Sequence, residues 1–403
     1  MMNIRTLLAR VGLGLSLLVV ISPFAAQAEE QPIAPASPES DDNFDYSEVT
    51  IRDLLKERLA QLEQEQKQRG EAVTEGAEAE EPLSPECAAY AEQPNADVGD
   101  VLNAGCEPTL AQMSALMDNP VGNVAMLFTQ FDSAQLQNPA NSDTTAFKHT
   151  YTGIAQFPKG LNKDWNLINR IVWTLPSQPL SQAKIDDFRP TQQQSYGLGP
   201  DGSILPPAGS PGFPVDIFGG RTTGLGDLYY IGLFSPKKPI KLANGSNLVW
   251  GAGFDAGFPT ASSEILGTGK WSAGPSALLV YLGKKWKVGF LAQHYWDFAG
   301  DPDRDSVNLT NIQTLYYYSL DSVTSIGAGP NVIANWQQDG GNRWTVPIGI
   351  GINRTFQFGK IPVRIGIEAH YSAFRPADVV GTRWNFRLYF IPSAPSALFA
   401  WMK

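Results

Sequence analysis

Long runs of the sequence alternate large apolar residues with small or polar residues. In RWTVPIGIGIN (343–353) the large apolar residues occupy every second position: Trp344, Val346, Ile348, Ile350 and Ile352. Successive side chains of a strand point to opposite faces, so this segment has one apolar face and one face of small or irregular residues. Similar runs recur from about residue 121 to 391 and last about ten to fourteen residues. Strands of ordinary globular proteins are about five or six residues long.

The length and spacing of these runs predict a membrane barrel, because a tilted strand that crosses a bilayer needs about nine to eleven residues. Tryptophan and tyrosine often mark the ends of the apolar faces, where they suit the headgroup boundary. The twelve candidate strands are 122–132, 146–157, 164–176, 224–235, 246–258, 270–282, 285–299, 312–320, 323–337, 343–355, 361–374 and 382–391. Most gaps after odd strands are long and most gaps after even strands are tight, as in bacterial outer-membrane barrels.

We therefore predict an all-β fold, a transmembrane antiparallel β-barrel of about twelve strands over residues 121–391. A C-terminal tail, residues 392–403, follows it. Both ends of the barrel segment would then face the periplasm.

The first 28 residues have the order of a secretory signal peptide. Arg5 and Arg10 precede an apolar run from Val11 to about Ile21, and Ala26-Gln27-Ala28 precedes two glutamates. Positive, apolar and small-residue segments in this order predict cleavage after Ala28. The apolar run is shorter than the roughly 18 residues of a membrane-spanning helix. The expected location is the outer membrane of a Gram-negative-type envelope.

Residues 29–120 form an acidic extension that we expect in the periplasm. They hold 22 acids and five bases, whereas residues 121–403 hold 18 acids and 23 bases. The Pro-, Ser- and acid-rich start cannot bury enough apolar surface to order itself. Apolar residues at spacings of three and four then predict a helix at about 50–69. This helix either packs on its own protein or joins protomers as a short coiled coil; it is too short for a convincing heptad seam.

Cys87 and Cys106 are the two cysteines of the chain, and both lie in this extension. In an exported protein such a pair favours a disulfide, here closing a loop of 20 residues and contributing about 3 kcal/mol if unstrained. No histidine lies nearby to favour a metal site.

The alternation also assigns ten polar side chains to the inner face of the barrel. The predicted pore-lining residues are Asp255, Lys287, Gln293, Asp297, Arg343, Arg364, Glu368, His370, Arg383 and Arg387. These charges either brace the wall or form a weakly basic constriction that favours anionic solutes. Twelve strands give a much narrower lumen than the 16 to 18 strands of wide channels.

Signals for enzymatic or metal chemistry are weak. The three histidines are His149, His294 and His370; we expect His294 on the outer face and His370 inside, and no GxSxG motif accompanies them. Asp301, Asp303 and Asp305 mimic the start of a calcium loop, but position six is Ser306 and position twelve is Ile312. No phosphate-binding, cofactor or nucleic-acid motif occurs.

Three stretches resemble a known barrel family: RTTGLGDLYYIGLFSPKKP (221–239), the segment from WGAGFDAGFP to FAGDPDR (250–304), and NRWTVPIGIGINRTFQFGKIPVRIGIEAHYSAFRP (342–376). The family is named after a protein of the meta-cleavage phenol-degradation pathway, and the resemblance covers about residues 121–391. It implies an outer-membrane channel for small solutes, aromatic or other hydrophobic compounds among them, and we expect no enzymatic activity. The chain departs from the usual barrel ending, because IPSAPSALFAWMK follows the aromatic Phe390.

Two other functions stay open at this point. One is an outer-membrane lipid hydrolase that uses Ser and His. The other is a structural barrel whose acidic extension binds periplasmic partners. The expected contacts of the protein are outer-membrane lipid and small solutes, with self-association through the 50–69 helix as a further option.

Overall fold

The computed structural model describes residues 84–93, 98–138, 141–180, 197–198, 204–205, 218–377, 379–395 and 399. The chain divides into two units, Met1–Glu81 and Pro82–Lys403, and every described residue belongs to the second. The predicted signal peptide (1–28) and the predicted helix at 50–69 lie outside the described residues.

The second unit is a closed antiparallel β-barrel of twelve strands, as the alternation predicts. The strands are β1 (Val124–Asn138), β2 (Asn141–Gly160), β3 (Trp165–Gln178), β4 (Leu228–Pro236), β5 (Asn247–Phe258), β6 (Lys270–Leu282), β7 (Trp286–Gly300), β8 (Asn308–Ser319), β9 (Thr324–Ala328 and Asn331–Asn335), β10 (Trp344–Phe358), β11 (Ile361–Phe374) and β12 (Gly381–Pro395). Each strand pairs with its sequence neighbours, and β12 pairs with β1 to close the barrel.

The outer face of the barrel is apolar. On β10 the side chains of Ile348, Ile350 and Ile352 are exposed, whereas Thr345 and Asn353 are buried. Exposed Trp, Phe, Ile and Leu recur on the other strands in the same register. This exposure confirms the predicted outward orientation of the tryptophans and isoleucines. Monomeric soluble proteins rarely expose continuous apolar patches larger than a few hundred Å².

Small inward residues allow larger neighbours to enter the lumen. Gly349 of β10 faces His370 of β11, and a Cβ placed on Gly349 would lie 2.3 Å from Cδ2 of that ring. A side chain at this position would therefore displace His370. The irregular second face of RWTVPIGIGIN is thus explained by the groups that fill the interior opposite it.

Several strand boundaries differ from those predicted. β1 and β2 run on to Asn138 and from Asn141, so the long gap expected between them is mostly strand. β12 continues to Pro395, four residues into the predicted tail. β9 is broken after Ala328, because Pro330 has no N–H to donate to a neighbouring strand.

Within the described residues, three helices precede the barrel: α1 (Pro85–Ala91), α2 (Val98–Asn103) and α3 (Leu110–Met117). The predicted disulfide is present, with an S–S distance of 1.99 Å between Cys87 and Cys106. A capping box between Thr109 and Gln112 begins α3, and the Gln112 amide also donates to the Tyr90 and Gln93 carbonyls. The disulfide and Gln112 therefore hold the three helices together.

We call the barrel end that carries these helices and the tight turns the turn end, and the opposite one the loop end. At the turn end, Met117 of α3 packs with Val124, Met126, Tyr389 and Ile391. At the loop end, the connection between β5 and β6 (259–269) contains a 3₁₀ turn, Glu264–Leu266. Ile265 and Leu266 of this turn pack with Leu136, Leu180 and Val380. Parts of the chain thus cover both ends of the barrel.

Among the described residues, no helix combines the length and apolar character needed to cross a membrane.

Candidate functional site: the barrel interior

The interior contains a cavity of about 340 Å³ between the covered ends. Its wall mixes polar side chains, such as Gln130, Thr150 and Asn311, with apolar ones, such as Ile231 and Leu291. Ligand pockets typically measure about 300–1,000 Å³, so this space suits a small molecule. Of the ten residues predicted to line a pore, Gln293, His370 and Arg387 border the cavity.

Glu368 is the centre of a buried network beside the cavity. Its carboxylate accepts hydrogen bonds from the Tyr317 hydroxyl at 2.7 Å, from Nε2 of His370 at 2.8 Å and from the Gly329 N–H at 3.2 Å. The Gly329 N–H is available because β9 is interrupted at this point. The strand break therefore helps to satisfy a charge that would be costly to bury alone.

Arg387 joins this network to Asp132 on the neighbouring strand β1. Its Nε donates to Oδ1 of Asp132 at 2.9 Å, and its Nη1 donates to the Gly329 carbonyl at 3.2 Å. The Asn385 amide also donates to Oδ1 of Asp132, at 2.6 Å. Arg387 and Asp132 are thus a largely buried ion pair whose polar atoms have further partners.

Asp118, directly after α3, forms ion pairs with two wall residues at the turn end. Its Oδ2 lies 2.5 Å from Nζ of Lys287, and its Oδ1 lies 2.8 Å from Nη1 of Arg364. Nη2 of Arg364 also donates to the Ser114 carbonyl at 2.9 Å. Lys287 and Arg364, both predicted to line a pore, therefore face inward but hold α3 in place, and neither borders the cavity.

Asp255 and Asp297 also lie on inward positions. Asp255 is fully buried, and neither of its carboxylate oxygens has a hydrogen-bond partner within the described part of the chain. Asp297 lies near the loop end, 3.9 Å from Nζ of Lys270, and accepts a hydrogen bond from the Val307 N–H at 3.0 Å. Neither residue borders the cavity.

Two of the predicted inward residues lie elsewhere. Arg383 is exposed, with its guanidinium 5.7 Å from the ring centre of Tyr371 on the outer face. The register of β12 against β1 shifts next to this residue, and such a bulge reverses the side-chain direction. Arg343 lies over the exposed ring of Trp336, 4.9 Å from its centre. It precedes the first residue of β10, so the strand alternation does not fix its direction.

Polar contacts from two other segments fix the cover at the loop end. Asp227 accepts hydrogen bonds from the N–H and the hydroxyl of Thr268 at 2.7 and 2.8 Å. Arg304 lies 3.5 Å from the Glu264 carboxylate and also donates to the Glu264 and Gly267 carbonyls. Burial lowers the pKa of Arg304, which Glu264 opposes, and burial raises the pKa of the nearby Asp305 carboxyl. The 259–269 connection is therefore attached on both sides.

The interior contains no hydrolase arrangement within the described residues. His294 lies on the outer face as predicted, with Nδ1 2.7 Å from the Thr310 hydroxyl. His149 is exposed beside Phe147, and His370 is bonded to Glu368. No serine is hydrogen-bonded to any of these histidines in the described ranges.

Across the same residues, no group of three or more His, Cys, Asp and Glu side chains could hold a metal ion.

Several interior residues that the structure brings together are not among those predicted from the sequence: Asp118, Asp132, Arg170 and Tyr317. Arg170 follows Asn166 and Ile168 at alternate positions of β3, so its inward direction was readable from the same alternation. Asp118 precedes the first strand, and no strand pattern could have placed it against Lys287 and Arg364.

No family model and no curated relative matches this sequence. Among solved structures, an outer membrane channel from Pseudomonas putida F1 is 14% identical with a TM-score of 0.45, over 67% of this chain and 94% of that chain. The outer membrane phospholipase A from Escherichia coli is 10% identical with a TM-score of 0.35, over 70% and 98% of the two chains. The NanC porin is 10% identical with a TM-score of 0.34, over 66% and 98%. These likenesses are weak, so the function has to be inferred from the chain's own residues.

Proposed function

We propose that this protein is an outer-membrane channel for the passive passage of small solutes. One observation carries the proposal: a closed barrel with an apolar outer face encloses a partly polar cavity of about 340 Å³. Only a closed barrel or a helix satisfies its own backbone hydrogen bonds in lipid. The apolar face would meet the hydrocarbon, and the cavity would hold the solute.

The interior contacts support a narrow, restricted path for the solute. Asp118 attaches α3 across the turn end, and Asp227 and Arg304 hold the 259–269 connection at the loop end. A solute could pass only if one of these covers moved. The predicted pore-lining residues would therefore act in two ways: Gln293, His370 and Arg387 would contact the solute, and Lys287 and Arg364 would hold the cover.

The test is permeation by the purified protein. Planar bilayers would report conductance, and liposomes loaded with small sugars and amino acids would report solute entry by swelling. We expect entry above that of empty liposomes, with a low conductance that fits a covered lumen. An absence of both conductance and swelling, from protein whose gel mobility shows a folded barrel, would contradict a channel function.

The first part of the acidic extension, residues 29–81, which we place in the periplasm after signal-peptide removal, is not needed for this function. Deleting residues 29–81 from the mature chain should leave permeation unchanged. Loss of envelope attachment in the same variant would favour the alternative of a structural barrel with an interacting tail. The hydrolase alternative lacks support, because no serine contacts a histidine in the described part of the interior.

A further inference from the structure

Arg170 differs from the other interior cations. It lies on an inward position of β3, is 6% exposed and borders the cavity. Its Nε has no hydrogen-bond partner within the described ranges, and none of the ion pairs there includes Arg170. A guanidinium does not lose its proton in proteins, so burial cannot neutralise this charge.

Four other interior cations each have a carboxylate beside them. Lys287 and Arg364 contact Asp118, and Arg387 contacts Asp132. At the loop end, Arg304 is near Glu264. These pairs follow the general rule that buried charges are paired. Among the described residues, no carboxylate lies within ion-pair distance of Arg170; the buried Asp255 lies two strands away, in register with Arg170 through Ile231.

The surroundings of Arg170 are aromatic and apolar on one side. Its guanidinium lies 5.8 Å from the ring centre of Phe128. Tyr229 and Tyr295, whose ring centres are 5.5 Å apart, border the same cavity, together with Ile231. Such a wall suits a compact apolar or aromatic body, whereas the planar fork of an arginine suits a carboxylate.

We infer that Arg170 is an anion-binding residue of the lumen and selects small organic carboxylates that carry an apolar or aromatic body. The inference rests on the proposed channel function and specifies the class of solute. The bound carboxylate would supply the missing counter-charge of Arg170, and the rings of Tyr229 and Tyr295 would contact the rest of the molecule. The cavity volume, near the lower limit for ligand pockets, restricts the class to small acids.

Calorimetric titration of the full-length mature protein in detergent tests this site. Benzoate and benzamide are suitable probes, because they share a ring and differ in the charge of one group. We expect benzoate to bind at least tenfold more tightly than benzamide. Equal affinity of the wild-type protein for the two probes would overturn the inference, and this comparison needs no variant.

Substitutions then assign the preference to Arg170. Arg170→Gln should reduce benzoate affinity at least tenfold and leave benzamide affinity unchanged, while Arg170→Lys, which keeps the charge without the fork, should give an intermediate value. The matched control is Arg383→Gln, which removes the same charge from an exposed outer position. An Arg170→Gln protein that folds and keeps its benzoate affinity would overturn the assignment.

Two further measurements separate this inference from the channel proposal. Reversal potentials in a sodium benzoate gradient should show anion preference in wild type and a loss of it in Arg170→Gln. A conducting wild type with the same selectivity as this variant would sink the inference and leave the channel function standing. Arg170-dependent benzoate binding without any conductance would support the binding site and contradict the channel function. Inorganic sulfate should bind at least tenfold more weakly than benzoate; equal binding would refute the role of the aromatic wall.

Discussion

The carboxylate of Asp118 lies 2.8 Å from Nη1 of Arg364, and this contact attaches the end of α3 to the wall strand β11. The second oxygen of Asp118 contacts Nζ of Lys287 on β7. One carboxylate thus bridges two strands on different sides of the lumen. If solute crosses the barrel, this bridge lies at the turn end of its path.

We predict that Asp118→Asn increases permeation several-fold. The substitution keeps the size of the side chain but removes the charge from two contacts, and hydrogen bonds to charged groups contribute about 1.5–3 kcal/mol each. Bilayer conductance and liposome swelling would measure the change. Glu107→Gln is the control, because it removes an exposed ion pair with Lys360 near the same end, and exposed ion pairs contribute little to stability. Equal permeation by the two variants would contradict a closing role for Asp118.

A second prediction concerns the disulfide. Replacing both Cys87 and Cys106 with serine should make residues 84–123 accessible to protease and leave the barrel intact. The disulfide restricts the unfolded states of a short loop, and its loss costs about 3 kcal/mol for a loop of this length. Limited proteolysis with mass spectrometry would locate the cuts, and heat-modifiable gel mobility would report the barrel. Cuts that appear first inside the barrel strands would argue against this division.

A third prediction concerns the buried network at Glu368. Glu368→Gln should lower the temperature at which the barrel loses its folded gel mobility by several degrees. The variant removes the charged acceptor of Tyr317, His370 and the Gly329 N–H, and hydrogen bonds to charged groups contribute about 1.5–3 kcal/mol each. Asp339→Asn, in the exposed connection between β9 and β10, is the control. A loss no larger than that of the control would show that the network adds no stability.

Strand alternation predicted the barrel and the outer face because each follows from local periodicity. Trp344 and Ile348 face outward for the same reason that Glu368 and His370 face inward. Alternation fails to predict the side-chain direction of two arginines. Arg383 lies at a register shift and Arg343 precedes its strand, so neither direction follows from alternation. The pairing of Asp118 with Lys287 and Arg364 depends on chain segments far apart in sequence, which periodicity does not report.

The proposed membrane location predicts a dependence on depth along β10. Ile350 lies near the middle of the strand and is 68% exposed, and Phe358 ends the strand and is 57% exposed. Lysine on the lipid face costs about 2–4 kcal/mol at the bilayer midplane and about 0–1 kcal/mol near the interface. Ile350→Lys should therefore reduce the free energy of unfolding in vesicles far more than Phe358→Lys, as measured by denaturant titration. If water surrounded the apolar face, both lysines would be solvated and the two substitutions would have similar small effects. The difference between these two variants thus measures the solvent around the barrel directly, independently of any solute.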